Sequence, residues 1–163
     1  MIQLESLRWV LTLAFGAAAA FHLVRWLWRP SALHEDALHL VMGLSMIVMI
    51  WPWGYAVPAS TWITGFTLAA GWFAARAAYA RRVMPLFFAS TMGAMVWMSA
   101  GGHQHPWVSA GFGGYLVAAS VWWLIRGMRL SVSTVDTRPA DWTALCHGTM
   151  SAAMGLALLA MAG

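Results

Sequence analysis

Residues 142–162 read WTALCHGTMSAAMGLALLAMA, a stretch without one charged side chain. About 20 consecutive apolar residues carry an α-helix across ~30 Å of hydrocarbon, and this stretch reaches that length. Runs of the same kind recur upstream, separated by polar punctuation. They cover 6–28, 37–57, 61–80, 84–101 and 107–125. Arg29-Pro30 closes the first, Arg81-Arg82 the third, and Gly102-His103-Gln104-His105-Pro106 the fourth. Arg126 and Arg129 follow the fifth, and a polar stretch from Ser131 to Asp141 leads into the last. The connections are too short for an extramembrane domain. The pattern predicts a single all-α integral membrane bundle of about six transmembrane helices with short loops.

Composition agrees with that reading. Of 163 residues, 61% are hydrophobic and 9% charged, with a mean hydropathy of +0.69. Globular chains carry roughly 25% charged residues, because a wet surface needs them. A chain this apolar is not disordered, and one cysteine, Cys146, builds no disulfide framework. Nothing alternates with the two-residue period of barrel strands. The pI of about 10.2 does not point to nucleic acid, because the nine basic residues, all arginines, are scattered between apolar runs. No phosphate-binding loop is present. The expected location is a bacterial plasma membrane, with the lipid bilayer as the first partner and a membrane or extracytoplasmic protein as a further one. The start, with Arg8, an apolar run and Ala18-Ala19-Ala20, resembles a signal peptide. The apolar run continues through residues 21–24, so it is expected to stay as a helix.

The arginines set an orientation. Threading six helices places Arg25, Arg29, Arg76, Arg81, Arg82, Arg126, Arg129 and Arg138 on or near one side. Positively charged loops stay cytoplasmic, so both termini are expected outside. Arg25 and Arg76 lie within apolar runs, close enough to the ends to snorkel. Tryptophans such as Trp9, Trp28, Trp107, Trp123 and Trp142 fall near the expected helix ends, where an interfacial belt belongs.

Two of the runs share a more specific pattern. His39-Leu40-Val41-Met42-Gly43-Leu44-Ser45-Met46 and His147-Gly148-Thr149-Met150-Ser151-Ala152-Ala153-Met154 are both His-x-x-Met-x-x-x-Met. Steps of three and four keep these side chains on one helical stripe. Both helices should run in the same direction, which puts the two histidines at similar depth. Glu35 and Met49 extend the first stripe and Met161 the second. Imidazole and thioether together suit a soft ion, above all Cu(I), whereas Mg²⁺ or Ca²⁺ would ask for oxygen ligands. His39, Met42, Met46, His147, Met150 and Met154 are therefore the candidate ligands, with His22, Glu35 and Cys146 beside them. Met92, Met95 and Met98 lead along the fourth helix toward His103 and His105. Methionine is also a flexible core filler, and that reading competes for each thioether. His34-Glu35-Asp36 reads as a solvated turn. Small residues, Gly16, Gly43, Gly65, Gly71, Gly93, Gly111, Gly113, Gly114 and Gly155 among them, read as close helix contacts.

The paired frames, the acidic residue four positions before His39, and Cys146-His147 resemble an uncharacterised family of small polytopic membrane proteins from actinobacteria. The resemblance implies membrane topology and supports the choice of stripe residues. It brings no activity with it. Three functions compete on the residues themselves. The leading one is a Cu(I)-binding protein that transports copper or delivers it to another protein. The second is an intramembrane zinc hydrolase, with His22, His39 and His147 as ligands and Glu35 or Asp36 as general base. The third is a b-type haem protein or respiratory-complex subunit with His39 and His147 as axial ligands. Whether the chain is an enzyme stays open at this point.

Overall fold

A computed structural model describes residues 5–28, 33–81, 84–101, 104–132 and 141–163, with side-chain surroundings for all of these except 33–35, 55 and 129–132. The described residues form six α-helices and one short 3₁₀ helix: α1 (Glu5–Trp28), α2 (Leu33–Ile50), the 3₁₀ turn (Pro52–Ala56), α3 (Ala59–Ala80), α4 (Met84–Ser99), α5 (Pro106–Val132) and α6 (Trp142–Ala162). Proline marks several starts, where a missing N–H costs nothing. It stands first in α5 and second in α4. Arg81 ends α3 in the left-handed region, with φ 49°. Asp141 caps α6 by accepting a hydrogen bond from the Ala144 backbone N–H at 3.2 Å.

Consecutive helices pair as hairpins, α1 with α2, α3 with α4 and α5 with α6, and α6 also packs on α1. Small residues set the last hairpin's spacing. A Cβ added at Gly155 would stand 2.9 Å from the Gly113 carbonyl oxygen and 2.8 Å from a Val117 methyl. Gly43 likewise faces Phe15 and Ala19 of α1. Gly65, Gly71, Gly93, Gly111 and Gly114, expected at helix contacts, meet nothing there. The core runs through the centre of the bundle and includes Leu11, Phe15, Phe66, Phe73, Phe88, Leu116 and Leu158 with six methionines.

The helix ends differ from the sequence reading at three points. The second run stops at Ile50, because Pro52 cannot continue an α-helix and opens the 3₁₀ turn, with Trp51 extended at φ −94°, ψ 150°. The fifth runs on through Arg126 and Arg129 to Val132. Arginine is a good helix former and no breaker intervenes. The second begins at Leu33, which takes residues 34–36 out of a loop and into the first turn of α2.

Three described helices are long and apolar enough to cross a membrane: α1, residues 106–128 of α5, and α6. α2 and α4 are shorter apolar helices. Large apolar side chains, among them Leu13, Leu68, Trp107 and Trp122, face outward. Trp123 departs from the expected interfacial belt and is buried. Trp51 turns its N–H to Thr12 of α1 at 3.0 Å, and Trp97 joins α4 to α5 through Ser109 at 3.1 Å.

Candidate metal centre

The hairpin topology brings the C-terminal end of α1 beside the N-terminal ends of α2 and α6. Each of these ends contributes one histidine to a cluster. His22 and His39 stack with ring centroids 4.7 Å apart and planes 19° from parallel. His39 and His147 are 4.8 Å apart at 46°, and His22 and His147 are 5.8 Å apart at 33°. All three are buried. Aromatic rings close the cluster: Phe88 lies 4.6 Å from His39 and 5.0 Å from His147, and Trp123 lies 5.2 Å from His147. The expectation that His39 and His147 lie at one depth holds, and His22 joins them.

Asp36 is the residue that sequence reasoning undervalued. Its carboxylate is fully buried. Oδ1 lies 2.8 Å from His22 Nδ1, and Oδ2 accepts a hydrogen bond from Arg25 Nε at 3.0 Å. Arg25 Nη1 donates in turn to Thr143 Oγ1 at 2.6 Å. One carboxylate thus joins α1 to α2, and one guanidinium carries the link to α6. For Asp36 the solvated-turn reading, and for Arg25 the snorkelling one, are corrected by this geometry. A buried carboxylate must find partners, and Arg25, 23% exposed, turns inward to supply them. The cue was in the sequence: Asp36 stands three residues before His39, hence on the same face once α2 starts early enough to include it.

The carboxylate also selects the His22 tautomer. Held by Arg25, the Asp36 carboxylate is an acceptor, and a neutral His22 that donates to it from Nδ1 carries its lone pair on Nε2. That Nε2 is buried and has no hydrogen-bond partner among the described residues. A carboxylate bonded to one nitrogen of a histidine whose other nitrogen stays bare is the arrangement that orients metal-ligating imidazoles. A cavity of about 240 Å³ opens at this end, and His22, Asp36, His39 and His147 line it together with Arg25 and Arg76.

As they stand, no three His, Cys, Asp or Glu side chains among the described residues form a group that could hold a metal ion. An imidazole lone pair lies in the ring plane, and nearly parallel planes such as those of His22 and His39 do not meet nearby. The planes of His39 and His147, tilted by 46°, do intersect. A shared ion requires one ring rotation in the first pair and less adjustment in the second.

The stripes continue inward from the histidines. Met42 and Met46 lie one and two turns beyond His39, and Met150 and Met154 occupy the matching places after His147. All four are buried in one core cluster with Met92 and Met95 of α4. Cys146 does not line the histidine cavity. Its thiol sits 3.9 Å from the Ala18 carbonyl oxygen, as a small packing group between α6 and α1. The side chain of Glu35, with His34 and His103, lies outside the described residues.

His39, Asp36 and His147 of this centre, though not His22 and Arg25 of α1, fall within residues 31–161, which match the model of a domain of unknown function, DUF5134. The chain belongs to the DUF5134 family. It is 40% identical over 87 residues to Uncharacterized protein Mb0995 of Mycobacterium bovis and to Uncharacterized protein Rv0970 of Mycobacterium tuberculosis. The match covers 50% of this DUF5134 chain and 40% of the length of those relatives. The resemblance to an uncharacterised actinobacterial family therefore holds, and neither the family nor these relatives carry an activity. No solved structure matches the chain.

Proposed function

We propose that this chain is a multi-pass protein of the bacterial plasma membrane that binds Cu(I) and transports it or delivers it to another protein. The observation that carries the reading is the continuity of donors. Three imidazoles at one end of the bundle lead directly into six buried thioethers, Met42, Met46, Met92, Met95, Met150 and Met154. Neutral nitrogen and sulfur donors favour a soft monovalent ion. Oxygen donors, which harder ions need, are scarce: both Asp36 oxygens are already engaged by His22 and Arg25. The same engagement leaves Asp36 poorly suited as a general base, and this weakens the zinc-hydrolase reading although its three nitrogens are those of the centre. A cavity of about 240 Å³ is below the ~300 Å³ lower bound of ordinary small-molecule pockets, which disfavours a porphyrin.

In this reading His39 and His147 are the first ligands, and His22, oriented by Asp36, is the third. The methionine column offers weaker sites through which a cation can leave without being trapped. Both termini lie outside, and Arg25, Arg76, Arg81 and Arg126 sit at the cytoplasmic end.

Elemental analysis of the anaerobically purified protein, followed by Cu(I) competition titration, tests the proposal. Copper is expected in the parent, with most of it lost in His39→Ala and in His147→Ala. Zinc or haem iron in place of copper, or unchanged copper affinity in both variants, overturns it.

A further inference from the structure

The bundle holds a second, larger cavity at the end opposite the histidines. It measures about 560 Å³ and opens between the C-terminal ends of α2, α4 and α6, beside the 3₁₀ turn and the start of α3. Four thioethers line it: Met46 and Met49 of α2, Met98 of α4 and Met161 of α6. Among the described residues, no charged residue and no histidine lines it. A methionine used as filler closes space, whereas these four border a cavity large enough to admit an ion. Met46 faces both ways, since it also belongs to the buried core that leads back to the histidines. Met49 meets a polar neighbour: Ser99 Oγ, which donates to the Met95 carbonyl oxygen at 2.9 Å, lies 3.7 Å from its sulfur. With that proton drawn to the carbonyl, the thioether sulfur keeps its lone pairs for a ligand bond.

We infer that this cavity is a second binding site, for a soft monovalent cation, with Met49, Met98 and Met161 as its thioether ligands and Met46 as the link to the column. The inference rests on the Cu(I) reading for the identity of the ion. It adds that the protein holds two sites of different chemistry at its two ends, nitrogen-rich beside the arginines and sulfur-only opposite. Thioethers bind Cu(I) without needing deprotonation, while imidazoles must be neutral to bind. The sulfur-only site therefore keeps its ion at acidic pH, where the histidine site releases it. A cation leaving toward an acidic exterior would still find a ligand set there.

The full chain, purified in detergent, is titrated anaerobically with Cu(I) at neutral and acidic pH, and copper X-ray absorption reports its neighbours. Two equivalents are expected at neutral pH, with mixed nitrogen and sulfur scattering. One equivalent in an all-sulfur environment is expected at about pH 5. The triple variant Met49→Leu/Met98→Leu/Met161→Leu should lose the acid-resistant equivalent and keep the other. His39→Ala/His147→Ala should do the reverse. If the double variant keeps an all-sulfur equivalent and the parent has no nitrogen-bound copper, the histidine reading fails and this site stands. If the parent shows no all-sulfur copper at acidic pH, or the triple variant retains it, the second site is overturned. The parent spectrum alone decides this should the triple variant fail to fold.

Discussion

At the scale of single residues, Asp36 decides how the histidine cluster is held. It is buried completely and carries two bonds that matter, one to His22 and one to Arg25. The two ways of breaking its ion pair are unequal. Asp36→Asn leaves a partly exposed Arg25 that can turn toward water, whereas Arg25→Ala leaves a buried carboxylate with His22 as its remaining bonded side chain. Removing one partner of a buried pair costs about 3–5 kcal/mol when the other charge cannot escape. Arg25→Ala should approach that figure, and Asp36→Asn should fall below it. Thermal unfolding in detergent reads the order, and equal or reversed losses would contradict the assignment. Asp36→Asn also removes the carboxylate charge and leaves a single acceptor oxygen for two donors, His22 Nδ1 and Arg25 Nε. Loss of such a carboxylate lowers metal affinity by about 10- to 100-fold, so Cu(I) competition should show a drop in that range with the protein still folded.

At the scale of the helix, two features can be separated by substitution. The α5–α6 seam depends on Gly155, where an added Cβ would meet Val117 and the Gly113 carbonyl oxygen within 3 Å. Both neighbours are poorly placed to yield, one being backbone. Gly155→Ala should destabilise by about 1–3 kcal/mol, the usual cost of overpacking. Gly111→Ala, on an open face of α5, should be neutral or gain up to about 1 kcal/mol from helix propensity. Comparing the two melting temperatures checks the seam. The methionine stripes answer a different test. Leucine nearly conserves the volume of methionine and costs typically under ~1.5 kcal/mol per site. Replacing Met42, Met46, Met150 and Met154 together should leave a folded bundle whose Cu(I) binding or flux falls stepwise as more are changed. A folded quadruple variant that handles Cu(I) like the parent would return the stripes to packing.

At the scale of the whole molecule, antiparallel hairpins put the ends of α1, α3 and α5 together, and with them Arg25, Arg76, Arg81 and Arg126. The connection between α2 and α3 lies at the other end. Single cysteines introduced at Ser60 and at Ala80, in a Cys146→Ala background, therefore probe opposite sides. Both positions are exposed. An impermeant thiol reagent applied to intact cells should label the cysteine at 60 and leave that at 80 untouched. The opposite pattern would invert the orientation, and labelling at both positions would contradict a membrane between them.

Helix number, the apolar character of the bundle and the shared depth of His39 and His147 follow from the chain alone. All depend on local periodicity and on the order of apolar and polar runs, which need no knowledge of neighbours. The third histidine is different. His22 has no repeated frame around it, and its membership in the cluster arises because α1 packs antiparallel to α2 and against α6. The solvated-turn reading of Asp36 fails for the same reason: a carboxylate among polar residues looks solvated until its partners, Arg25 and His22, arrive from another helix. Met49, Met98 and Met161 lie on three helices, and nothing local relates them. Which residues share a face is a property of one helix and its sequence. Which faces meet, and where they leave a cavity, is set by packing between segments far apart in the chain, and only the tertiary structure decides it.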